Sequence, residues 1–323
     1  STPIKSSAAS DVYKRQFASM ELKEITAEEY ESLFDRHAPH IYNTVRFNEL
    51  NRRKAQSVRY LAFVAPRPLL GIILGERDGA LHSPFSAPFG GMTETEETTF
   101  ERIAEAYRLL RSYGSENGRQ IEITLPPLFY APTFITLQDA ALKAEGTVMW
   151  EDVNFHRQLD FGEEGACAGF SKSAREAMRH AERAGLEFHF FKHPARDEIH
   201  RVYETVLSNH HALGYPVKMT EKEVIETAPV TGSRFMTMTL GEEDVAAAMI
   251  NSTTPDIAQA IYWGDRMTFR PLRPMNLLAA KVFEQCKILG FKTVDLGPSS
   301  ECGIVSAGLC RFKQSLGCRP TSK

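Results

Sequence analysis

The sequence predicts an α/β (α+β) chain in which one mixed-sheet fold, flanked by helices, is written twice. Two stretches carry that reading. From residue 273 to 317 the chain runs RPMNLLAAKVFEQCKILG, FKTVDLG, PSSECGIVSAG and LCRFKQSLG. That is an amphipathic helix, a short apolar strand ending in Asp295 and Gly297, a polar loop, and a second helix. Residues 70–127 repeat the order, and around both stretches each half runs two helices, a strand meander, a long helix, a strand and a helix. The match is one of architecture rather than of residues. No Ser/Gly linker separates the halves, and the domains are expected at 20–160 and 161–323. Residues 1–19 are Ser/Ala-rich without periodicity and are expected to be a non-native or disordered leader outside the fold.

The elements follow in order. Glu21–Ile25 alternates as a short strand. Thr26 with Glu29 three residues on is a capping box, and the helix behind it runs through Tyr30, Leu33 and Phe34. Residues 43–55 read as a second helix. Residues 58–64 and 69–74 are apolar strands around the turn-forming APRP at 65–68. HSPFSAPFGG, 82–91, has two prolines and two glycines and reads as a loop. Residues 96–113 form a strong helix, with Phe100, Ile103, Ala104, Tyr107 and Leu110 on one stripe. A strand at 121–125, a helix at 134–144 and a long strand at 148–159 close the first half. The second opens with SKSAREAMRHAERAG, 171–185, which has a Ser cap and a Gly stop. A strand at 186–191, helices at 197–213 and 221–227, and strands at 235–240, 245–251 and 257–263 lead to the closing helix, strand and helix.

Composition bounds the function. The 323 residues are 42% hydrophobic and 24% charged, with a formal net charge of -3. That gives no global electrostatic case for nucleic acid, and no DNA partner is expected. The five cysteines are odd in number and have no CxxC or zinc-like spacing, so reduced thiols, a cytoplasmic location and no metal site are expected. The longest apolar run, 69–74, is too short to span a bilayer.

A strand, two helices, an antiparallel meander and a final helix–strand–helix resemble the GNAT acyltransferase fold, and two such units resemble the Fem-type (FemABX-like) family. SKSAREAMRHAERAGLEF, HRVYETVLSNHHALGYPV and, above all, NLLAAKVFEQCKILGFKTVDLGPSSECGIVSAGLCRFKQSLG carry the likeness. It extends over 20–317, without the family's coiled-coil arm and without a clear strand after the last helix. The resemblance implies transfer of an acyl or aminoacyl group to an amine of a peptidoglycan (cell-envelope) or sugar-linked precursor in a bacterial cytoplasm. It implies acyl-CoA or aminoacyl-tRNA as co-substrate, with no tightly bound cofactor, and a muropeptide-like or small-molecule acceptor. An acyl-CoA-dependent N-acyltransferase of a small metabolite or nucleotide sugar is the alternative. A degenerate, non-catalytic ligand-binding tandem GNAT is the third reading.

Amide-forming acyl transfer needs a neutral amine, stabilisation of the carbonyl oxygen and alignment of the reactants, and no strict triad. The resemblance places a functional pair at Phe312-Lys313, where Lys313 facing a cleft would stabilise an oxyanion or a phosphate. Asp295 and Glu301 flank the loop after the last strand and are candidates for general base or for orienting the amine. Asp295 also fits a residue bonding its own turn. Arg266, Arg270 and Arg273 precede the long helix where GNATs hold pyrophosphate, but no glycine follows Gly264 there, which argues against routine acetyl-CoA binding. The corresponding first-half helix opens TETEETT, whose acid repels phosphate. Tyr262 and Trp263 are candidates to line the substrate cleft, and His82 is one beside the Pro/Gly loop. His210 and His211 point about 100° apart on a helix and do not suit one metal.

Overall fold

The structure is a computed structural model that describes residues 19–323. The expectation for a leader at 1–19 falls, apart from Ser19, outside the described residues. The chain divides into two compact units. The first comprises the chain to Pro126 with Ala131–Val148, and the second comprises Pro127–Tyr130 with Met149–Lys323.

In the first unit, β1 (Glu21–Ile25), β2 (Ser57–Val64), β3 (Pro68–Arg77) and β4 (Ala80–Ser83) are antiparallel neighbours, and β5 (Thr93–Glu94) pairs with β3. Strand β6 (Gln120–Ile123) lies parallel to β4, with Ala80 opposite Gln120 and Ser83 opposite Ile123. The helices are α1 (Ala27–Phe34), α2 (Val45–Leu50), α3 (Phe100–Glu116) and α4 (Pro132–Glu145). The Thr26 capping box forms as its sequence demands. Helix α3 buries Ile103, Ala104, Tyr107 and Leu110 against Leu61, Phe63 and Leu70 of the sheet. The helix expected at 43–55 breaks into α2 and short 3-10 turns. Its Asn48 and Asn51 side chains bond nearby carbonyls at 2.8 and 3.0 Å and compete with the helical ladder.

The Pro/Gly loop packs into its own unit. Phe85, Phe89 and Met92 are buried, and Gly90 N–H bonds Thr124 O at 2.8 Å just past the β4–β6 pairing. A side chain at Gly75 would run into the Phe85 ring, so glycine there is a packing requirement.

The second unit carries a seven-stranded sheet, in the order β15-β7-β12-β11-β10-β9-β8. Its strands are β7 (Val153–Gln158), β8 (Glu187–Phe191), β9 (Arg234–Leu240), β10 (Glu243–Ser252), β11 (Ile257–Asp265), β12 (Thr293–Pro298) and β15 (Arg319–Ser322). A small hairpin of β13 (Ser300–Glu301) and β14 (Ile304–Val305) follows β12. Strand β15 is the short strand after the last helix that the sequence left unclear. The helices are α5 (Lys172–Arg183), α6 (Arg196–Leu213), α7 (Glu221–Thr231), α8 (Pro274–Ile288) and α9 (Ala307–Ser315). Apolar residues of α8, among them Leu277, Leu278, Val282 and Phe283, pack on one face of the sheet; α6 and α7 bury Ile199, Val202, Val206 and Val224 on the other.

Strand β7 corrects the expected boundary at residue 160. Read as the last strand of the first half, it pairs instead with β12 and β15, inside the second sheet. Sheet membership is set by pairing with residues some 135 to 170 positions away, which local pattern does not report. Among the described residues no helix is long and apolar enough to cross a membrane.

Candidate active site

Strands β11 and β12 are the one parallel pair of the second sheet, and they part early. Pairing runs from Ile257 opposite Thr293 to Gln259 opposite Asp295, after which β11 continues to Asp265 without β12 beside it. Both strands are irregular at that point. Ile261 is the extra residue of a bulge against β10, and the β12–β7 register shifts between Asp295 and Pro298. Bulges bend strands and re-aim side chains, and they recur beside active sites.

A cleft of about 550 Å³ opens where the strands part. It is lined from both faces of the sheet. Tyr262 belongs to the apolar cluster under α6 and α7, whereas Trp263 packs with the cluster under α8 and α9. From α6 come Asn209, His210 and Leu213, from the start of α8 Met275 and Asn276, and from α9 Leu309, Phe312 and Lys313. Arg270, Arg273 and Asp265 complete the polar lining. A second cavity of about 540 Å³ adjoins it. Arg273, Asn276 and Phe312 are common to both, and Ser173, Glu176 and His180 of α5 form its other wall.

Of the residues nominated from sequence, Tyr262, Trp263, Arg270, Arg273, Phe312 and Lys313 are therefore brought together. Trp263 and Phe312 lie 6.0 Å apart, centroid to centroid. Tyr262 sits edge-on to His210 at 5.6 Å and its hydroxyl accepts the Lys218 N–H at 3.2 Å. Arg273 caps α8 in the left-handed region, at φ 58°, a conformation that costs a non-glycine residue roughly 1 kcal/mol.

The others lie elsewhere. Arg266 is not part of the cleft lining, and its Nε is buried with no hydrogen-bond partner among the described residues. Glu301 is exposed on the β13–β14 hairpin. His82 belongs to the first unit, where its ring contacts Glu122 at 3.3 Å and the Arg77 carbonyl at 3.1 Å. Asp295 is fully buried, and its carboxylate accepts from Tyr130 Oη at 3.0 Å, Asn154 Nδ2 at 2.8 Å, Gln259 Nε2 at 2.8 Å and Gly297 N at 2.9 Å. Four donors fill the usual acceptor positions of a carboxylate, which leaves none for an incoming amine.

Lys313 is neither solvated nor free. It is 2% exposed, and its Nζ donates to the carbonyls of Leu296, Gly297 and Pro298 at 2.9, 2.8 and 2.9 Å. Burial pushes its pKa down to about 8, against the opposing pull of Asp295.

Asp265 is the group that the sequence reading missed. It ends β11, is 6% exposed and lines the cleft. Its Oδ1 accepts from Asn209 Nδ2 at 3.0 Å and from Arg270 Nε at 3.3 Å, while Oδ2 takes no hydrogen bond from another side chain among the described residues. Burial raises its proton affinity, with Arg270 opposing. Gly264 makes this arrangement possible, since a Cβ there would meet Asn209 Cγ at 2.5 Å. His210, also in the cleft, is held toward its neutral form by burial. The signal for Asp265 was present in the string WGDR, but the strand was expected to stop at Trp263. Among the described residues no group of three or more His, Cys, Asp or Glu is placed to hold a metal.

No protein-family model and no curated protein matches the sequence. Solved structures do. The chain is similar to FemX, with a TM-score of 0.63 at 11% identity over 93% of this chain and 95% of that one. The fold is that of the Fem-like tandem GNAT proteins. L-PGS from Bacillus licheniformis matches at TM-score 0.58 and 12% identity, over 93% and 91% of the two chains. A tandem GNAT protein from the clavulanic acid biosynthesis pathway matches at 0.50 and 10%, over 94% and 96%. In GNAT terms, β11 and β12 are the parallel strands whose divergence makes the second unit's cleft. Identities this low carry the architecture, and the chemistry has to come from the residues.

Proposed function

We propose that the second unit is an acyltransferase, moving an acyl or aminoacyl group to an amine where β11 and β12 part. One observation carries this reading. A single cleft is lined from both faces of the sheet and holds a buried carboxylate, Asp265, whose Oδ2 takes no hydrogen bond from another side chain among the described residues. Two substrates entering from opposite faces meet in that gap, which supplies the alignment that acyl transfer needs most.

The chemistry follows from the geometry. An activated acyl donor, a thioester or an aminoacyl ester, lies on the α8–α9 side, where Arg270 and Arg273 offer positive charge to its phosphates. The acceptor amine lies on the α6 side, near His210 and Tyr262. Its nitrogen lone pair attacks the carbonyl carbon, the carbon–nitrogen bond forms, and Asp265 takes the proton that the nitrogen must lose. The carbon–sulfur or carbon–oxygen bond then breaks, the leaving group departs with the electron pair, and the proton from Asp265 neutralises it. The β11 edge beyond Gln259, unpaired by β12, presents backbone groups toward the developing oxyanion.

The acceptor we favour is an amine on a cell-envelope or sugar-linked precursor, following the Fem-like architecture. A small amine with an acyl-CoA donor is the second reading, supported by the modest cleft volume of about 550 Å³.

A thermal-shift screen with acyl-CoAs, aminoacyl-tRNAs and nucleotide-linked muropeptides tests the donor and acceptor class. Turnover of the stabilising pair by Asp265→Asn then tests the base. We expect retained binding and a rate reduced by roughly 10²–10⁴. No stabilisation by any of the three classes would remove the proposal, and unimpaired turnover in Asp265→Asn would remove the assignment of the base.

A further inference from the structure

We infer that Lys313 and Asp295 are positioning residues, a couple that shapes the end of β12 and holds it away from β11. Both belong to the closing motif, and the family likeness would make Lys313 a substrate contact. The geometry points elsewhere.

In an extended strand, successive carbonyls point to opposite sides and cannot converge on one atom. Here three successive carbonyls, of Leu296, Gly297 and Pro298, converge on Lys313 Nζ within 2.9 Å. Gly297 allows this by adopting φ 71°, in the left-handed region. The Gly297 N–H turns the other way and is held by Asp295 Oδ1 at 2.9 Å. One carboxylate thus fixes the N–H of the turned peptide, and one ammonium fixes the carbonyls around it.

An ammonium has three protons, and all three are engaged here, so none remains for a substrate oxygen. Because those carbonyls point at α9, β12 cannot extend its ladder onto Ala260 and the residues after it. The parallel pairing stops at Asp295, the residue at which the couple begins. The same contact that silences Lys313 as a catalyst therefore keeps the cleft open.

The groups facing Lys313 are Asp295 from β12, Cys310 on its own helix, Cys318 beyond that helix, and the Phe155 ring of β7 at 5.8 Å. Burial pushes the Cys318 thiol up to about 12, so it stays neutral over the range that matters. As pH rises through about 8 the Lys313 ammonium loses a proton, and with it one of the three bonds.

The structural consequence stands without any substrate, and only the effect on turnover rests on the acyl-transfer reading. Hydrogen–deuterium exchange of the peptide spanning 293–300 is the measurement, on the full chain, in wild type, Lys313→Met and a Cys310→Ser control. The expected result is at least tenfold faster exchange there in Lys313→Met, with first-unit peptides unchanged. In wild type, after correction for intrinsic base-catalysed exchange, protection at 293–300 should fall as pH passes about 8, and Cys310→Ser should behave likewise. If Lys313→Met does not fold, this wild-type pH series decides. Exchange within twofold of wild type in a folded Lys313→Met that has lost turnover would overturn the inference and return Lys313 to the substrate. So would a wild-type pH series without the extra loss of protection. Failure of every donor to bind would leave these exchange results readable and would count against the acyl-transfer reading alone.

Discussion

Replacing Asp295 by alanine should unfold the second unit far more readily than removing a catalytic base would. The wholly buried carboxylate receives Tyr130 Oη, Asn154 Nδ2, Gln259 Nε2 and Gly297 N, all within 3.0 Å. Alanine removes the shared acceptor of four buried donors, at about 1–3 kcal/mol each, although Tyr130 Oη keeps its contact with Thr253 Oγ1 at 3.2 Å and Asn154 Nδ2 its contact with the Phe155 carbonyl at 3.5 Å. The Lys313 ammonium also loses the carboxylate that favours its charge. Neighbouring losses do not add fully, so the net cost should be about 4–6 kcal/mol, at the exceptional end for one substitution. Asp295→Asn keeps the shape but turns one acceptor into a donor facing donors, and should cost about 2–3 kcal/mol. Urea unfolding followed by tryptophan emission is the assay, because both tryptophans, Trp150 and Trp263, lie in the second unit. With a slope near 2 kcal/mol per molar, Asp295→Ala should lower the midpoint by about 2–3 M. A change below about 1 kcal/mol, together with lost turnover, would refute this reasoning and make Asp295 the proton acceptor.

Four further outcomes follow from single residues. Asp265→Asn should change stability by no more than about 1 kcal/mol at neutral pH, because it removes a buried charge along with its Arg270 pair; thermal unfolding checks this. Wild-type turnover should fall as pH drops through the raised pKa of Asp265, since the protonated acid cannot accept a proton; a pH–rate profile reads it. In the first unit, burial pushes His40 down to about 3. Its contribution to stability is thus full above its unfolded value near 6.5 and is lost as pH falls from there toward 3. Circular dichroism in urea should show that loss, roughly 5 kcal/mol in all, and His40→Phe should flatten it. Gly264→Ala should displace Asn209, whose Cγ lies 2.5 Å from the added Cβ. That should cost about 1–3 kcal/mol in thermal unfolding and should also lower turnover, because Asn209 orients Asp265.

The fold was legible where its signals are local. The Thr26–Glu29 capping box, the Ser171 cap and the inward stripe of Ile103, Ala104, Tyr107 and Leu110 stand in the structure as periodicity and side-chain chemistry dictate, whereas Phe100, expected on that stripe, is exposed at the helix start. The clustering of Tyr262, Trp263, Arg270, Arg273 and Phe312 was legible too, because the closing motif fixes which strand end each sits near. What the sequence withheld is non-local. Asp295 meets Tyr130 across 165 positions and Asn154 across 141, so nothing beside it showed that its oxygens were taken. Lys313 was expected to face a cleft with its ammonium available to substrate, because helical pattern reports a face and not the carbonyls of a neighbouring strand. Asp265 was lost to a two-residue error in a strand end, the least reliable feature of a pattern reading.

The two units treat one structural problem in opposite ways, and that contrast bears on which of them does chemistry. Each has a parallel strand pair, β4 with β6 and β11 with β12, that ends after three or four residues. A sheet that opens there exposes backbone groups that must be paired, filled around or used. In the first unit the chain fills the opening. Ser83 O receives the Thr124 N–H, Gly90 reaches Thr124 O, and Phe85 and Phe89 are buried beside them, Phe89 against His40. In the second unit the opening is kept, with Lys313 and Asp295 absorbing the strand-end groups and the Ile261 bulge turning β11 aside. Holding a cleft open around a buried lysine and a buried aspartate is costly to stability, and a scaffold alone gains nothing from it. The expense is intelligible if a ligand occupies the second unit's cleft, and for the same reason substitutions that empty the first unit's loop, such as Phe89→Ala, should lower its stability by about 3–5 kcal/mol while leaving the Asp265 pH–rate limb where it was.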